Sequence, residues 1–299
     1  MAGRLCGIGQ FTAAGSTGTI TGQNMTETAK SAITRSDFFQ SQYWQAAKGL
    51  PDHIYAGQTL AIVEKIQGSS NASVVQNFGQ QNLGLHVGDV AEAVQHRRIV
   101  LLKHLQPFGV KRLQWLNQTH STMAYVVNDR PILTLLDGDG LVTQSKGVAL
   151  MMMTADCLPI VVSNAQGTEI ACLHAGWRGL ANGIIESTLG KMQSQPAYAW
   201  IGAAISQPNF EVGAEVKAAF VDQNSDFEND FIARENGKYL ADLYGIARKK
   251  LQALGIDSVT GGDHCSYAED QYFYSYRRKA QTGRMATFIF ISAKDDKLA

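Results

Sequence analysis

A chain of 299 residues can form one large domain or two smaller ones, and it can bury a sizeable core. Its 26 basic residues balance its 26 acidic residues, so the composition gives no electrostatic reason to expect nucleic acid or an anionic membrane as a partner. No apolar run approaches the roughly 20 residues that cross a bilayer, and the segment after Arg4 is too short and polar for a secretory signal. These features predict a cytoplasmic protein.

The N-terminal part, residues 1–50, differs in composition from the rest of the chain. It contains a run rich in Thr, Gly and Ser at residues 13–22 with little strand-like alternation, and we expect this part to be partly disordered. The pattern of a packed domain begins near residue 51 and continues to residue 293. A charged C-terminal tail follows at residues 294–299.

Within the packed region, residues 54–66 alternate in the manner of a strand or hairpin. Residues 90–105 carry apolar side chains at helical spacing, and Asp89 is placed to begin this helix as its N-cap. Further strands are predicted at residues 113–116, 123–127, 141–143, 148–153, 170–173, 198–202 and 287–291, and further helices at residues 180–192, 212–220 and 239–254. This irregular interleaving predicts an α/β fold with a single mixed, partly antiparallel β core flanked by helices.

The four cysteines, Cys6, Cys157, Cys172 and Cys265, are too few and too scattered to form a disulfide scaffold, so we expect reduced thiols. Cys172 lies inside an apolar strand and is expected to be a small buried hydrophobic residue. Cys157 and Cys265 lie at the edges of strands or loops, which leaves a chemical role open for both.

Reactive side chains follow two of the predicted strands at the point where each strand ends. Cys157 follows the strand at residues 148–153, and His174 follows the strand at residues 170–173. Such positions build sites in open α/β sheets, because loops converge there on a rigid base. The two residues alone are consistent with packing roles, with a metal site and with a Cys/His nucleophile pair.

A third candidate, His120, also lies just past a short strand and has small, polar neighbours. Two imidazoles and one thiolate make a three-ligand set that suits Zn²⁺ and leaves a fourth position open, which is typical of a catalytic zinc site. The spacing of the three residues matches no local zinc-finger pattern.

Eight sequence blocks carry a resemblance to a known family. They are NLGLHVGD at residues 82–89, WLNQTH at 115–120, DGLVT at 139–143, TADCLP at 154–159, HAGWRG at 174–179, FEVG at 210–213, FYSYRR at 273–278 and TGRM at 282–285. In this order, between about residues 52 and 292, they resemble the laccase-domain family, also called the polyphenol oxidase or multicopper-oxidase-like family. The resemblance implies that His120, Cys157 and His174 bind the metal.

The chain departs from the family pattern at two places. The family usually has Gln-Val-His-Gly where this chain has Gln-Thr-His-Ser at residues 118–121, which keeps the ligand histidine. A cysteine that the family favours is missing from the loop at residues 201–208, a change expected to alter substrate contacts without touching the metal. Residues 1–50 resemble no family segment.

Members of this family are mostly described as zinc-dependent purine nucleoside phosphorylases. The resemblance therefore implies adenosine, inosine, guanosine or methylthioadenosine as substrates, with phosphate as co-substrate; adenosine deaminase activity is also attributed to the family. Three alternatives remain: copper-dependent polyphenol oxidation, a Cys157/His174 hydrolase linked to peptidoglycan precursor editing, and a non-catalytic metal-binding module. A multicopper centre needs many more ligands than the seven histidines of this chain. The sequence leaves the oligomeric state open.

The remaining candidates are charged or polar residues within the family blocks. Asp156 could orient a ligand histidine or act as a base, and Arg178 could hold phosphate by bidentate contacts. Asp139 is the other acidic candidate, although its position favours a role in the turn. Candidate substrate-binding residues are Asn82, His86, Arg277 and Arg278, and Arg284 belongs to the same basic cluster as the last two.

Overall fold

The computed structural model describes residues 34–61, 78–132 and 134–294 of the chain. The α-helices within these ranges are α1 (Arg35–Phe39), α2 (Ala91–Leu105), α3 (Trp177–Asn182), α4 (Ile184–Leu189), α5 (Ala214–Val221) and α6 (Leu243–Ala253). Short 3₁₀ helices lie at Leu85–Val87, Gln106–Phe108, Gln207–Asn209, Ser225–Asp230 and Glu235–Gly237. No α-helix in these ranges is both long enough and apolar enough to cross a membrane.

The strands form two large sheets and one small one. The first sheet has five strands in the order β1 (Trp44–Ala46), β2 (Ile54–Thr59), β14 (Met285–Ile291), β6 (Val148–Thr154) and β3 (Arg112–Gln114). The second has six strands in the order β13 (Ser258–Gly261), β9 (Pro196–Ile201), β7 (Leu158–Asn164), β8 (Ile170–Ala175), β5 (Gly140–Thr143) and β4 (Ala124–Val126). The small sheet contains β10 (Glu211–Val212), β12 (Tyr239–Ala241) and β11 (Phe231–Ala233).

Both large sheets mix parallel and antiparallel pairs, and helices pack outside them, so the predicted mixed, partly antiparallel α/β class is confirmed. The β core differs from the single one predicted, because it consists of two sheets packed face to face. Strand β6 shows why: Leu150 and Met152 enter the core between the sheets, whereas Ala149 and Met151 face α1 and α2. This period-two alternation, apolar on both faces, produces a four-layer helix–sheet–sheet–helix arrangement.

Helices α3 to α6 cover the outer face of the six-stranded sheet. Their buried side chains pack against Ile160 and Val162 of β7 and Ala171 and Leu173 of β8. Cys172, between these last two residues, faces the other way into the inter-sheet core and is fully buried, as predicted.

Packed structure begins earlier than the boundary predicted near residue 51. Helix α1 and strand β1 both precede that boundary, and β1 pairs with β2 at the edge of the five-stranded sheet. Residues 1–33 and 295–299, which include most of the two predicted terminal segments, lie outside the described residues, as do residues 62–66 of the predicted hairpin.

Phe38 in α1 provides a test of this earlier start. Its side chain is fully buried, and its ring lies against those of Phe108, Phe288 and Phe290. We expect Phe38→Ala to lower the free energy of unfolding by about 3–5 kcal/mol, the usual cost of such a truncation in a core, as measured by chemical denaturation. Its neighbour Phe39 is 37% exposed, so Phe39→Ala should cost about 1 kcal/mol or less. Equal effects would contradict the packing described.

Several predicted elements differ in detail from the observed ones. The helix predicted at residues 180–192 is two helices, because Gly183 adopts φ of +96° and ends α3 before α4 begins. The helices predicted at residues 212–220 and 239–254 begin later than predicted. Strand β10 ends at Val212 before α5 begins, and strand β12 ends at Ala241 before α6 begins. These two strands pair with each other, and that non-local partner satisfies their backbone groups.

Asp89 does not cap helix α2, whose N-cap residue is Val90. The carboxylate of Asp89 instead accepts hydrogen bonds from Asn82 Nδ2 at 3.0 Å and Arg97 Nη1 at 2.7 Å. This contact joins the segment before the helix to the second turn of the helix.

Candidate metal centre and its cavity

Strand register brings Cys157 and His174 together. Strand β6 ends at Thr154 in one sheet and β7 begins at Leu158 in the other, so Cys157 lies on the crossover between the sheets. In the antiparallel β7–β8 ladder, Leu158 pairs with Ala175 and Pro159 pairs with His174. The thiol of Cys157 therefore lies just before the start of β7, next to the end of β8. The sequence pattern had placed Cys157 and His174 at the ends of two successive strands, because strand β7 between them was not predicted.

His120 reaches the same place from the loop that follows β3. The side chain of Gln118 extends the edge of β6, since its Nε2 donates to Met153 O at 2.8 Å and its Oε1 accepts from Met153 N at 2.7 Å. Two residues later, His120 adopts φ of +57°, in the left-handed region that residues other than glycine rarely occupy. Such a conformation persists only where surrounding contacts hold it.

Asp139 supplies those contacts. Its buried Oδ1 accepts from His174 Nδ1 at 2.8 Å and from the main-chain N–H of His120 at 3.2 Å. Its Oδ2 accepts from Ser121 N at 2.6 Å and Ser121 Oγ at 2.8 Å. Burial alone would raise the pKa of Asp139, but the hydrogen bond and charge of His174 and the Ser121 donors outweigh it and lower the pKa to about 2. One carboxylate thus orients the ring of one histidine and the backbone of the other.

The donor set fits a metal ion. One donor atom each from His120, Cys157 and His174 lie within 4.8 Å of one another, and Cys157 Sγ is 3.9 Å from His120 Nε2. Because Asp139 occupies Nδ1 of His174, the Nε2 atom of that ring is left to bind metal, a carboxylate–histidine–metal arrangement common in metalloproteins. A Cβ atom on Gly176 would lie 2.9 Å from His120 Cδ2 and 3.0 Å from Cys157 Sγ, so the close approach of the ligands requires glycine there.

The three donors perturb one another electrostatically. Burial would raise the pKa of Cys157, but the charge of His174 and a hydrogen bond from His120 lower it to about 6. Burial would lower the pKa of His174, but the Cys157 thiolate and Asp139 raise it to about 9. The two shifts together favour a thiolate beside an imidazolium in the metal-free protein.

This pairing predicts how metal binding depends on pH. His174 must lose a proton before its Nε2 can bind metal, whereas Cys157 is already a thiolate above its lowered pKa. We expect release of about one proton per metal bound at about pH 7.5, falling towards zero above the raised pKa of His174. Below the pKa of Cys157 a second proton should be released, so metal affinity should weaken as the pH falls. Calorimetric titration in buffers of different ionisation enthalpy measures the number of protons released per metal bound. Proton release that does not vary with pH would contradict the assignment of His174 and Cys157 as ligands.

The donor set lies on the wall of a cavity of about 500 Å³. Three arginines also line it, and each guanidinium lies over an aromatic ring of the same wall: Arg178 over Trp177 at 4.3 Å, Arg277 over Phe210 at 5.2 Å, and Arg284 over Tyr276 at 5.8 Å. Within the described part of the chain, none of these three arginines forms an ion pair with a carboxylate. The cavity therefore combines a metal donor set with unpaired positive charge.

Asp156 lines the cavity but contacts neither histidine. Its Oδ1 accepts from Ser266 Oγ at 2.7 Å, and its Oδ2 accepts from the main-chain N–H of Arg277 at 2.7 Å. It also adopts φ of +98°, so its backbone is strained beside Cys157. The role considered for it, orienting a ligand histidine, belongs in the structure to Asp139, while Asp156 ties the Arg277 segment to the metal site.

Asn82 and Arg278 do not line the cavity. Asn82 is fully buried, and its amide holds Gly84 N at 2.9 Å and the main-chain N–H of Arg284 at 2.9 Å. Arg278 braces its own loop by donating to the carbonyl oxygens of Ser266, Tyr267 and Phe273. Both side chains are committed to hydrogen bonds within the protein, which is a reason against direct substrate contact. His86, Arg178 and Arg277 do line the cavity.

The cavity also contains residues that were not singled out from the sequence. Gln118, Phe210 and Trp177 line it together with the arginines. Asp139 was named as an acidic candidate, but a turn role was preferred for it, although a local signal existed: it directly precedes a buried strand within one of the family blocks.

These features define an α/β protein with a cationic cavity whose His–Cys–His group could hold a metal ion, and comparison with known proteins assigns its family. Residues 60–292 match the family described as multi-copper polyphenol oxidoreductase laccase, so the chain belongs to that family. The resemblance stated from the sequence is thereby confirmed.

Several relatives carry the name purine nucleoside phosphorylase. The protein of Haemophilus influenzae with this name is 41% identical over 214 residues, which cover 70% of this chain and 86% of that protein. The one of Shigella flexneri, named purine nucleoside phosphorylase YfiH, is 40% identical over 218 residues, or 72% of this chain and 87% of that protein. Among solved structures, a Neisseria meningitidis protein superposes with a TM-score of 0.75 at 36% identity, covering 84% of this chain and all of that one.

Proposed function

We propose that this chain is a zinc-dependent purine nucleoside phosphorylase that acts on adenosine, inosine, guanosine or methylthioadenosine with phosphate as co-substrate. The names of relatives 40% and 41% identical support this class of reaction. The observation that carries the proposal is the presence, in one cavity, of a His–Cys–His donor set and arginines that lack acidic partners. That combination suits a reaction in which an anion attacks a neutral nucleoside.

Zinc is the metal that best matches the donors. Two imidazoles and a thiolate are borderline-soft ligands, and three protein ligands leave a position free for a substrate or water. When bound, the ion supplies positive charge that polarises an adjacent oxygen or stabilises developing negative charge. Seven histidines, of which two belong to this donor set, are too few for a multicopper centre, so the copper chemistry implied by the family name is not proposed.

The residues of the chain serve the rest of the reaction. A phosphate oxygen forms a bond to ribose C1′ while the C1′–N9 bond breaks, and the purine leaves with the electron pair and takes up a proton. An arginine of the cavity orients the phosphate by charge-assisted hydrogen bonds. Aromatic rings of the wall, Tyr276 above all because it is 56% exposed, offer a surface on which a purine can stack. A volume of about 500 Å³ lies in the range usual for small-molecule sites.

Phosphate dependence of base release tests the proposal. Purified protein is incubated with inosine, with and without inorganic phosphate, and hypoxanthine is followed by chromatography. Release that requires phosphate supports the proposal, whereas equal release without phosphate indicates hydrolysis and contradicts it. Adenosine incubated without phosphate tests the accompanying deaminase activity, which would yield inosine.

One observation favours a second candidate, a cysteine hydrolase. Asp139, His174 and Cys157 form an acid–imidazole–thiol series, and the pKa of the thiol is lowered to about 6, as nucleophilic catalysis requires. Metal removal separates the two candidates. A hydrolase would keep or gain activity after treatment with a chelator, because the thiolate would be freed, whereas the phosphorylase should lose it.

A further inference from the structure

The arginines of the cavity are anchored to different degrees. Arg284 is held at three points: its main-chain N–H donates to Asn82 Oδ1 at 2.9 Å, and its Nη1 donates to Thr282 O and Gly283 O at 3.0 Å each. Its aliphatic stem packs on Gly84, where a Cβ would lie 2.9 Å from Arg284 Cγ. Among the described residues, its Nε and Nη2 atoms have no hydrogen-bond partner. A fixed guanidinium with a free edge is suited to bidentate recognition of an oxyanion.

His86 and Arg98 lie near Arg284. His86 lines the same cavity, and burial followed by the positive charges of Arg284 and Arg98 lowers its pKa. Arg98 lies behind the segment that contains His86: its Nε and Nη2 donate to Leu83 O at 3.0 and 2.8 Å, and its guanidinium stacks on Trp115 at 4.0 Å. Burial lowers the pKa of Arg98 to about 10, and no carboxylate in the described residues pairs with it. The two guanidinium groups thus concentrate positive potential around His86.

The other two arginines of the cavity, Arg178 and Arg277, are less suited to an anion. Arg178 is exposed, and among the described residues its guanidinium contacts only the ring of its neighbour Trp177. Arg277 already donates to Glu211 O at 3.0 Å while it lies over Phe210. Immobilising a free arginine side chain on binding costs conformational entropy, so a pre-anchored arginine binds an anion more strongly.

Arg284 also lines the cavity that contains the metal donors. Burial lowers its pKa, whereas the charges of Cys157 and Asp156 act in the opposite direction. Because both line one cavity, an oxyanion held by Arg284 would lie in the same cavity as the donor set, where phosphorolysis needs its nucleophile.

We propose that Arg284 and His86, supported by Arg98, form the subsite for the phosphate co-substrate, and that Arg178 does not. The inference rests on the proposed function only for the identity of the anion as a co-substrate. Arg284 binds two phosphate oxygens through Nε and Nη2, and His86 donates one hydrogen bond. The sequence had suggested Arg178 as the residue that holds phosphate, and Arg284 only as a member of a basic cluster.

Equilibrium binding of inorganic phosphate to the intact protein, measured by calorimetry, tests this subsite without requiring turnover. We expect Arg284→Gln to weaken phosphate binding about tenfold or more, because a charge-assisted pair is lost, and Arg284→Lys to lie between it and the wild type. Arg178→Gln, the matched control in the same cavity, should change binding less than about threefold. The main-chain contact of Arg284 with Asn82 survives these changes, and unchanged metal content and unfolding temperature would show that the site is intact.

The possible results of these experiments test the phosphate subsite and the proposed function separately. Wild-type affinity in Arg284→Gln, a larger loss in Arg178→Gln, or no phosphate binding by the wild type would overturn the subsite. Phosphate binding that depends on Arg284 in a protein that releases no base from nucleosides would support the subsite and contradict the proposed function. Phosphorolysis with an unchanged KM for phosphate in Arg284→Gln would support the proposed function and contradict the subsite.

Discussion

Replacing Cys157 with serine is expected to leave the protein without its metal ion and without turnover. A serine hydroxyl does not ionise in the range where the lowered pKa of Cys157 provides a thiolate, so the set loses its only anionic donor. Loss of an outer hydrogen-bond partner alone weakens metal binding by about 10- to 100-fold, and loss of a ligand should exceed that. Elemental analysis of the purified variant should therefore give well under about 0.1 zinc per chain, against about one in the wild type.

Cys172→Ala is the matched control for this change. Its sulfur lies in the core between the two sheets, with Thr287 O 4.0 Å away, and burial raises the pKa of the thiol above its usual range. This variant should keep its metal and its activity, with a modest loss of stability. Full activity of Cys157→Ser in a preparation that has lost its zinc would refute the role assigned to the metal.

The second large effect is expected for Asp139→Asn. An amide cannot accept hydrogen bonds at both of its ends, so either His174 Nδ1 or the Ser121 donors at 2.6 and 2.8 Å would face an NH₂ group. Both histidine ligands then lose their orientation. We expect metal affinity to fall about 10- to 100-fold, with a matching loss of activity at limiting zinc that excess zinc partly restores. Competition with a chromophoric chelator measures the affinity.

Asp137→Asn provides the comparison for Asp139→Asn. Asp137 lies two residues earlier in the same turn, is exposed, and accepts from Asn117 Nδ2 at 2.7 Å. Its replacement should leave zinc affinity within about twofold of the wild type, because a surface contact contributes little. If both variants bound zinc like the wild type, Asp139 would be a turn residue only, as its sequence context suggests.

The sequence was sufficient to predict the class of fold and to nominate the metal donors. Apolar strands followed by Cys157 and His174 are local features, and local features can be read from one chain. The contact of Asp139 with His174 is not local. It depends on the pairing of β5 with β8, in which Gly140 lies opposite Leu173, and no pattern within either segment specifies that register.

Asn82 and Asp156 show a second reason why the roles of some residues could not be predicted from the sequence. A polar residue in a loop that faces a substrate and one that holds the backbone of a neighbouring loop have the same local sequence pattern. Here Asn82 positions Arg284 and Asp156 positions Arg277, each through the main-chain N–H of the arginine. Both contacts join segments more than a hundred residues apart, so only the folded chain distinguishes support from substrate contact.

The formation of ribose 1-phosphate from inosine and inorganic phosphate, followed by phosphorus NMR, tests the central claim most directly. The protein is assayed as purified, after removal of metal with a chelator, and after reconstitution with zinc. The arrangement of His120, Cys157 and His174 around one site predicts that the ribose 1-phosphate signal appears, disappears with the metal and returns with zinc. An undiminished signal from the metal-free protein, or free ribose as the product in every sample, would contradict the account.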